Sequence, residues 1–305
     1  MDSVITLQTA IQNGDYSLYD ISPKELGSTC IPLIDYVVTE YRQSNKTQNK
    51  TYYSEYYLNK QAIHCAFGEG AANSCNYFSL ILNRLTLIDN MYATQMRMRP
   101  YGIGELADAI SLFGPDSHFK SLLNDFLVDH DIDHFDYLKA NIKFYRDGQR
   151  PTQSNLFAEG YGTESHRASN KRAWSLITKY AYFLTVYSFP IYDSVVIEMI
   201  PIMWKLFLFS IPLPNYKQSI VDYIVVIDKL RSALGGLSYD ELDFLLWSVG
   251  KIINGNLSSI LSMEDFLHVP IAFDIKTANL STVPFLSSNK ALKALFQLAQ
   301  FVAIC

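Results

Sequence analysis

WSLITKYAYFLTVYSFPIYDSVVIEMI, residues 174–200, reads as a helix, a turn and a second helix. Trp174, Ile177, Tyr180, Ala181 and Leu184 recur at the spacing of one helical face. Phe189-Pro190 then sets a turn, and Asp193 stands just before the apolar run that begins at Val195. A carboxylate at a helix start has its charge stabilised by the unpaired N–H groups of the first turn. Lys179 sits on the otherwise apolar, aromatic first helix. Desolvation favours the neutral form of an amine, which is the nucleophilic form. The plainer alternative is that Asp193 only caps its helix and Lys179 only snorkels.

The remainder of the chain carries the same helical signals. Ser22-Pro23-Lys24-Glu25 and Ser238-Tyr239-Asp240-Glu241 are capping boxes. Ile81, Leu82, Leu85, Ile88 and Met91 form an amphipathic stripe, and Leu242, Leu245, Leu246 and Val249 form another. Sustained period-two alternation is scarce, and the β-prone Tyr52–Tyr57 run is the one ambiguous segment. The spacing predicts an all-α protein. Connectors fall at 44–51, 148–154, 160–170 and 213–216. No internal repeat is visible, which disfavours a solenoid. Three consecutive segments are expected: an N-terminal helical segment over 1–75, a central lobe over 76–184, and C-terminal helices over 185–305.

Composition bounds the classes. The 305 residues are 49% hydrophobic and 18% charged, enough to bury a core and unlike a disordered or low-complexity chain. Cys30, Cys65, Cys75 and Cys305 have no CxxC spacing, so reduced thiols and a cytoplasmic location are the default reading. The N-terminus is a poor signal peptide. The most apolar stretch, Val195–Leu213, contains Glu198, Pro201 and Lys205, and reads as a buried core helix kinked or broken at Pro201 rather than a membrane span.

A net charge of −5 argues against a polybasic nucleic-acid binder. The charge is uneven, however. Residues 105–136 hold eight acids and one Lys, whereas 139–179 hold eight Lys or Arg against three acids, a local +5. Such a run suits a solvated face or a polyanion. His166, Arg167, Lys171 and Arg172 form a basic loop within it. A second basic site follows the stripe ending at Met91, where Gln95, Arg97 and Arg99 suit contact with a phosphate backbone or a gap in a duplex. His130 and His134, spaced i and i+4, would share one helix face, but no HExxH glutamate or third ligand accompanies them, and no metal is expected. P-loop, GxGxxG and GxSxG motifs are absent.

TKYAYFLTVYSFPIYDS, residues 178–194, resembles the S-K-Y…F-P-I-Y-D-S signature of prokaryotic 8-oxoguanine DNA glycosylase-like proteins, distant members of the helix-hairpin-helix DNA glycosylase superfamily. ILNRLTLIDNMYATQM (81–96) and NYKQSIVDYIVVIDKLRSALGGLSYDELDFLLWSVGK (215–251) are similar to two further family segments in the same order. The resemblance spans about Asn76 to Lys251. It implies a two-lobed helical fold with a cleft, and Asp193 as the catalytic carboxylate. It further implies Lys179 as a Schiff-base nucleophile; Lys171 is the alternative. Gln95 stands where many relatives have Asn, and Gly160-Tyr161-Gly162-Thr163 is a faint echo of the usual hairpin.

The implied function is DNA repair by base excision: removal of an oxidised-guanine-like or virus-modified base from DNA, with or without lyase activity. No cofactor is implied. Tyr180, Phe183 and Tyr192 would line a base pocket. Gln95, Arg97, Arg99, His166, Arg167, Lys171 and Arg172 would grip the duplex. A non-catalytic descendant that binds nucleic acid or a partner, for example in phage defence, is the competing reading, and a helical interaction protein is the third.

Overall fold

The computed structural model describes residues 23–47, 55–68, 76–92, 103–112, 114–131, 134, 143–146, 149–153, 174–217 and 219–304. Among these, helices account for nearly all regular structure. They are α1 (Pro23–Thr47), α2 (Glu55–Phe67), α3 (Tyr77–Tyr92), α4 (Ile103–Leu112), α5 (Asp116–Asp129), α6 (Trp174–Leu184), α7 (Ser194–Phe207), α8 (Ile220–Ala233), α9 (Tyr239–Ile253), α10 (Met263–Leu267), α11 (Pro284–Ser288) and α12 (Lys290–Ile304). The all-α class holds, with one exception. Strands β1 (Lys143–Arg146) and β2 (Gln149–Gln153) pair antiparallel, with a register shift between Phe144 and Arg146. The sequence reads part of this hairpin as a connector. The ambiguous tyrosine run resolves as helix over its described residues, from Glu55 onward.

Two compact units share the chain, each drawn from separate stretches of it. One comprises Met1–Leu58, Asp193–Leu213 and Lys229–Cys305; the other comprises Asn59–Tyr192 and Pro214–Asp228.

In the first unit, α1, α7, α9 and α12 pack on one another. The close approach of α7 and α9 requires a glycine. A Cβ on Gly250 would lie 2.5 Å from Val195 Cγ1 and 3.0 Å from Met199 Cγ. At the other end of α7, a Cβ on Gly27 would collide with the Leu206 carbonyl. The Ser238 capping box forms as read: Ser238 Oγ accepts from Glu241 N–H at 3.2 Å, and Ser238 N–H donates to Glu241 Oε2 at 2.8 Å. The acidic start of α9 is then clamped to the preceding helices. Tyr41 donates to Asp240, Tyr56 donates to Asp243, and Arg42 forks onto both oxygens of Glu241. α7 runs through Pro201 without ending there, and Pro201 lies on its exposed side. Of the kink or break expected at Pro201, the break is not made. No helix among the described residues is long and apolar enough to cross a membrane.

In the second unit, α3 packs against α4 and α6, and α5 against α6. The buried face of α3 departs from its apolar stripe. Arg84 and Asp89 are buried, while Met91 is exposed. The Arg84 guanidinium donates to both Asp116 oxygens at 3.0 and 2.8 Å and to the Ala66 carbonyl, and it stacks on Phe67 with 4.5 Å to the ring centre. Tyr77 donates to the same Asp116.

His130 and His134 do not share a helix face. α5 ends at Asp129, and His130 takes the left-handed conformation as its C-cap, φ 58°. His134 Nε2 lies 2.7 Å from Asp129 Oδ2, so one imidazole is turned back on the helix end.

Candidate functional site

α6 carries Lys179 inward. Its apolar face is nearly complete, so the helix buries every residue except Ser175, and Lys179 is 1% exposed. The ammonium donates to Ser175 Oγ at 2.7 Å, one helical turn back, and lies 5.1 Å from the centre of the Tyr92 ring. Spacing of i and i+4 brings such side chains together on any helix, so Ser175 was legible as a partner from its position alone.

Thr178, the residue before Lys179, does more than fill space. Its hydroxyl donates to the Trp174 carbonyl at 2.7 Å and accepts the Tyr192 N–H at 2.9 Å. The Phe189-Pro190-Ile191 segment is thereby fastened to α6. Tyr223 of α8 donates its hydroxyl to the Ile191 carbonyl and reinforces the hold, and its ring meets that of Tyr192 at 4.8 Å. Directly after Tyr192 comes Asp193, where the chain passes from one compact unit to the other. Asp193 adopts extended backbone, φ −124°, and its Oδ1 accepts the Val195 N–H at 2.9 Å. It is the N-cap of α7 and remains partly exposed. As N-cap, the Asp193 side chain lies at the positive end of the α7 dipole.

The expected base-pocket aromatics lie in different settings. Tyr180 is fully buried, its ring 5.2 Å from Phe67 and 6.2 Å from Phe119. Its hydroxyl is enclosed and faces the Arg84 guanidinium. Phe183 is 2% exposed and packs on Phe67 and Tyr92. Tyr192 is half-buried, edge-on to Trp174 at 5.1 Å. Tyr192 is therefore the most accessible of the three.

Burial, with the Asp116 hydrogen bond second, pushes the Tyr77 phenol far above its ordinary value. Burial, then the Asp116 charge, does the same to Tyr180. Burial and nearby Tyr192 push Tyr216 up to about 12. All three phenols stay protonated at neutral pH, so these three rings offer bulk and polar edges but no base.

Gln95, Arg97, Arg99, His166, Arg167, Lys171 and Arg172 lie outside the described residues, as do Ser22 and the Gly160–Thr163 segment. No group of His, Cys, Asp and Glu that could hold a metal ion occurs among the described residues. No family model matches the chain, nor does any curated protein or solved structure.

Proposed function

We propose that the chain is a two-lobed DNA glycosylase that excises a damaged or modified base, oxidised-guanine-like or virus-modified, from DNA. The hydrogen bond from Tyr192 N–H to Thr178 Oγ1 supports this reading most: the residue before the lysine holds the residue before the carboxylate. As the N-glycosidic bond breaks, the base leaves with the bonding electrons and positive charge builds on the deoxyribose. The carboxylate of Asp193 stabilises that charge and orients the water that attacks C1′, leaving free base and an abasic sugar. The target nucleotide must leave the stack, at a cost of a few kcal/mol. Gln95, Arg97, Arg99, His166, Arg167, Lys171 and Arg172 are the proposed duplex contacts that offset it, and Tyr192 contacts the extruded base.

In the lyase variant, the Lys179 amine replaces water at C1′. An amine that is 1% exposed reaches a sugar only through local opening of α6. Hydrolysis is accordingly the main route. The same burial favours, as a second reading, a non-catalytic descendant in which Lys179 only supports the helix and the chain binds nucleic acid or a partner, as in phage defence.

Base release from duplexes carrying oxidised guanine or phage-modified bases tests the proposal. Asp193→Asn keeps a good N-cap but removes the charge, and should lower release by about 100-fold, which corresponds to about 2.7 kcal/mol of transition-state stabilisation. Full release by a folded Asp193→Asn variant would leave the aspartate as a cap alone. Salt-sensitive DNA binding with no release from any of these duplexes would favour the second reading.

A further inference from the structure

α10 is a five-residue helix that buries none of its own side chains. Helices this short have little stability of their own, and local bonds hold this one in shape. Ser262 Oγ accepts from Asp265 N–H at 3.1 Å and donates to the Asp265 carboxylate at 2.8 Å. His268 Nδ1 lies 2.7 Å from the Glu264 carbonyl at the other end.

What this element presents to solvent is apolar. Met263 and Leu267, one turn apart, are each 74% exposed; Ile271 is wholly exposed, and Phe266 is 39% exposed. Isolated exposed apolar residues are ordinary on any surface, whereas four large ones within nine residues make a patch. The charge within the segment from Asn254 to Ile275 is acidic, and the nearest cation along the chain is Lys276, directly after it. That segment has no Lys or Arg, while Glu264, Asp265 and Asp274 supply three carboxylates, and Glu264 and Asp274 are exposed.

We infer that the Met263–Ile271 face docks a cationic amphipathic segment of another protein. The segment's apolar side chains would cover Met263, Leu267 and Ile271, and its Lys or Arg residues would meet Glu264 and Asp274. Charge selects this occupant, because DNA and anionic membrane surfaces carry the sign that this rim repels. The inference stands apart from the glycosylase proposal and adds a protein partner to it.

A fluorescein-labelled Leu/Lys amphipathic peptide of about five helical turns is the probe, titrated against the full chain by anisotropy, with a Leu/Glu peptide of the same pattern as control. Saturable binding of the Leu/Lys peptide is expected. It should weaken at least about tenfold in Leu267→Ser/Ile271→Ser, as for an interface anchor. In Glu264→Lys/Asp274→Lys the preference should invert toward the Leu/Glu peptide. Every substituted side chain is exposed, so thermal melts should match the parent and exclude unfolding as the cause. Absent binding, or binding indifferent to both variants, overturns the inference. So does sedimentation showing a dimer that Leu267→Ser dissolves, which would make a second copy the occupant. Adsorption to phosphatidylcholine vesicles that Ile271→Ser abolishes would assign the face to lipid instead.

Discussion

Arg84 and Lys179 are both buried cations of the same compact unit, and they are held in different ways. Arg84 is fixed by a carboxylate fork, a backbone carbonyl and a ring face. Lys179 donates to the hydroxyl of Ser175 and faces the Tyr92 ring. A guanidinium does not lose its proton in proteins, so Arg84 can serve only as a fixed charge. An amine can give up a proton and form a covalent bond. The difference separates a cation placed for architecture from one whose chemistry is still usable once it is exposed.

The largest effect is expected at Arg84. Removing one partner of a buried pair costs 3–5 kcal/mol when the other charge stays buried. Asp116 is about one-third exposed and can rehydrate, so Arg84→Ala should cost about 3 kcal/mol, read from urea unfolding. A loss below about 1 kcal/mol would place Arg84 with ordinary surface pairs and erase the contrast.

Thr178 comes next. Thr178→Val keeps the shape and strands the Tyr192 N–H, for an expected loss of about 1–2 kcal/mol. Thr178→Ser retains the hydroxyl and should recover most of it. Equal losses in the two variants would mean that packing, not the hydrogen bond, holds the segment before Asp193.

Accessibility then tests Lys179 directly. Acetylation read by mass spectrometry should proceed at least about tenfold more slowly at Lys179 than at exposed Lys205 or Lys276, because it waits for local opening. Arg84→Ala should accelerate it by loosening the helices around α6. Equal rates in the parent protein would show that the amine is open to solvent and to a sugar.

The smallest effect concerns Arg42–Glu241, the more exposed counterpart of Arg84–Asp116. Burial opposes the Glu241 charge, yet the Arg42 fork and the Ser238 N–H outweigh it and hold the carboxyl below its ordinary value. A folded-state value lower than the unfolded one gives stability above the ordinary carboxylate range, lost as pH falls through the depressed value. Glu241→Gln should therefore cost about 1 kcal/mol at neutral pH, shrinking toward zero in acid. A cost that does not change with pH would assign the effect to packing of the side chain alone.

Local pattern carried much of the secondary structure. The Ser238 box, the apolar face of α6 and the stripe of α9 formed where their spacing placed them, because caps and helical faces depend on residues three or four apart. Asp193 was legible both as a helix start and, through the family likeness, as a candidate carboxylate. The misreadings also have local causes. His130 and His134 fit an i, i+4 face only if the helix continues, and it ends at Asp129. Pro201 suggests a kink or a break, and α7 continues through it without breaking, packed against α9.

Sequence by itself determined that this is a helical protein, where α1 and α9 begin, where α3, α6 and α7 run, and that Lys179 and Asp193 stand fourteen residues apart on either side of one turn. Tertiary structure alone decided that Arg84 pairs with Asp116, that Thr178 holds Tyr192, that each compact unit is drawn from separate stretches of the chain, and that the α10 face is left uncovered. Helix periodicity is written over a few residues, whereas a buried charge finds its partner, and an apolar side chain its cover, only when segments tens of residues apart are brought together.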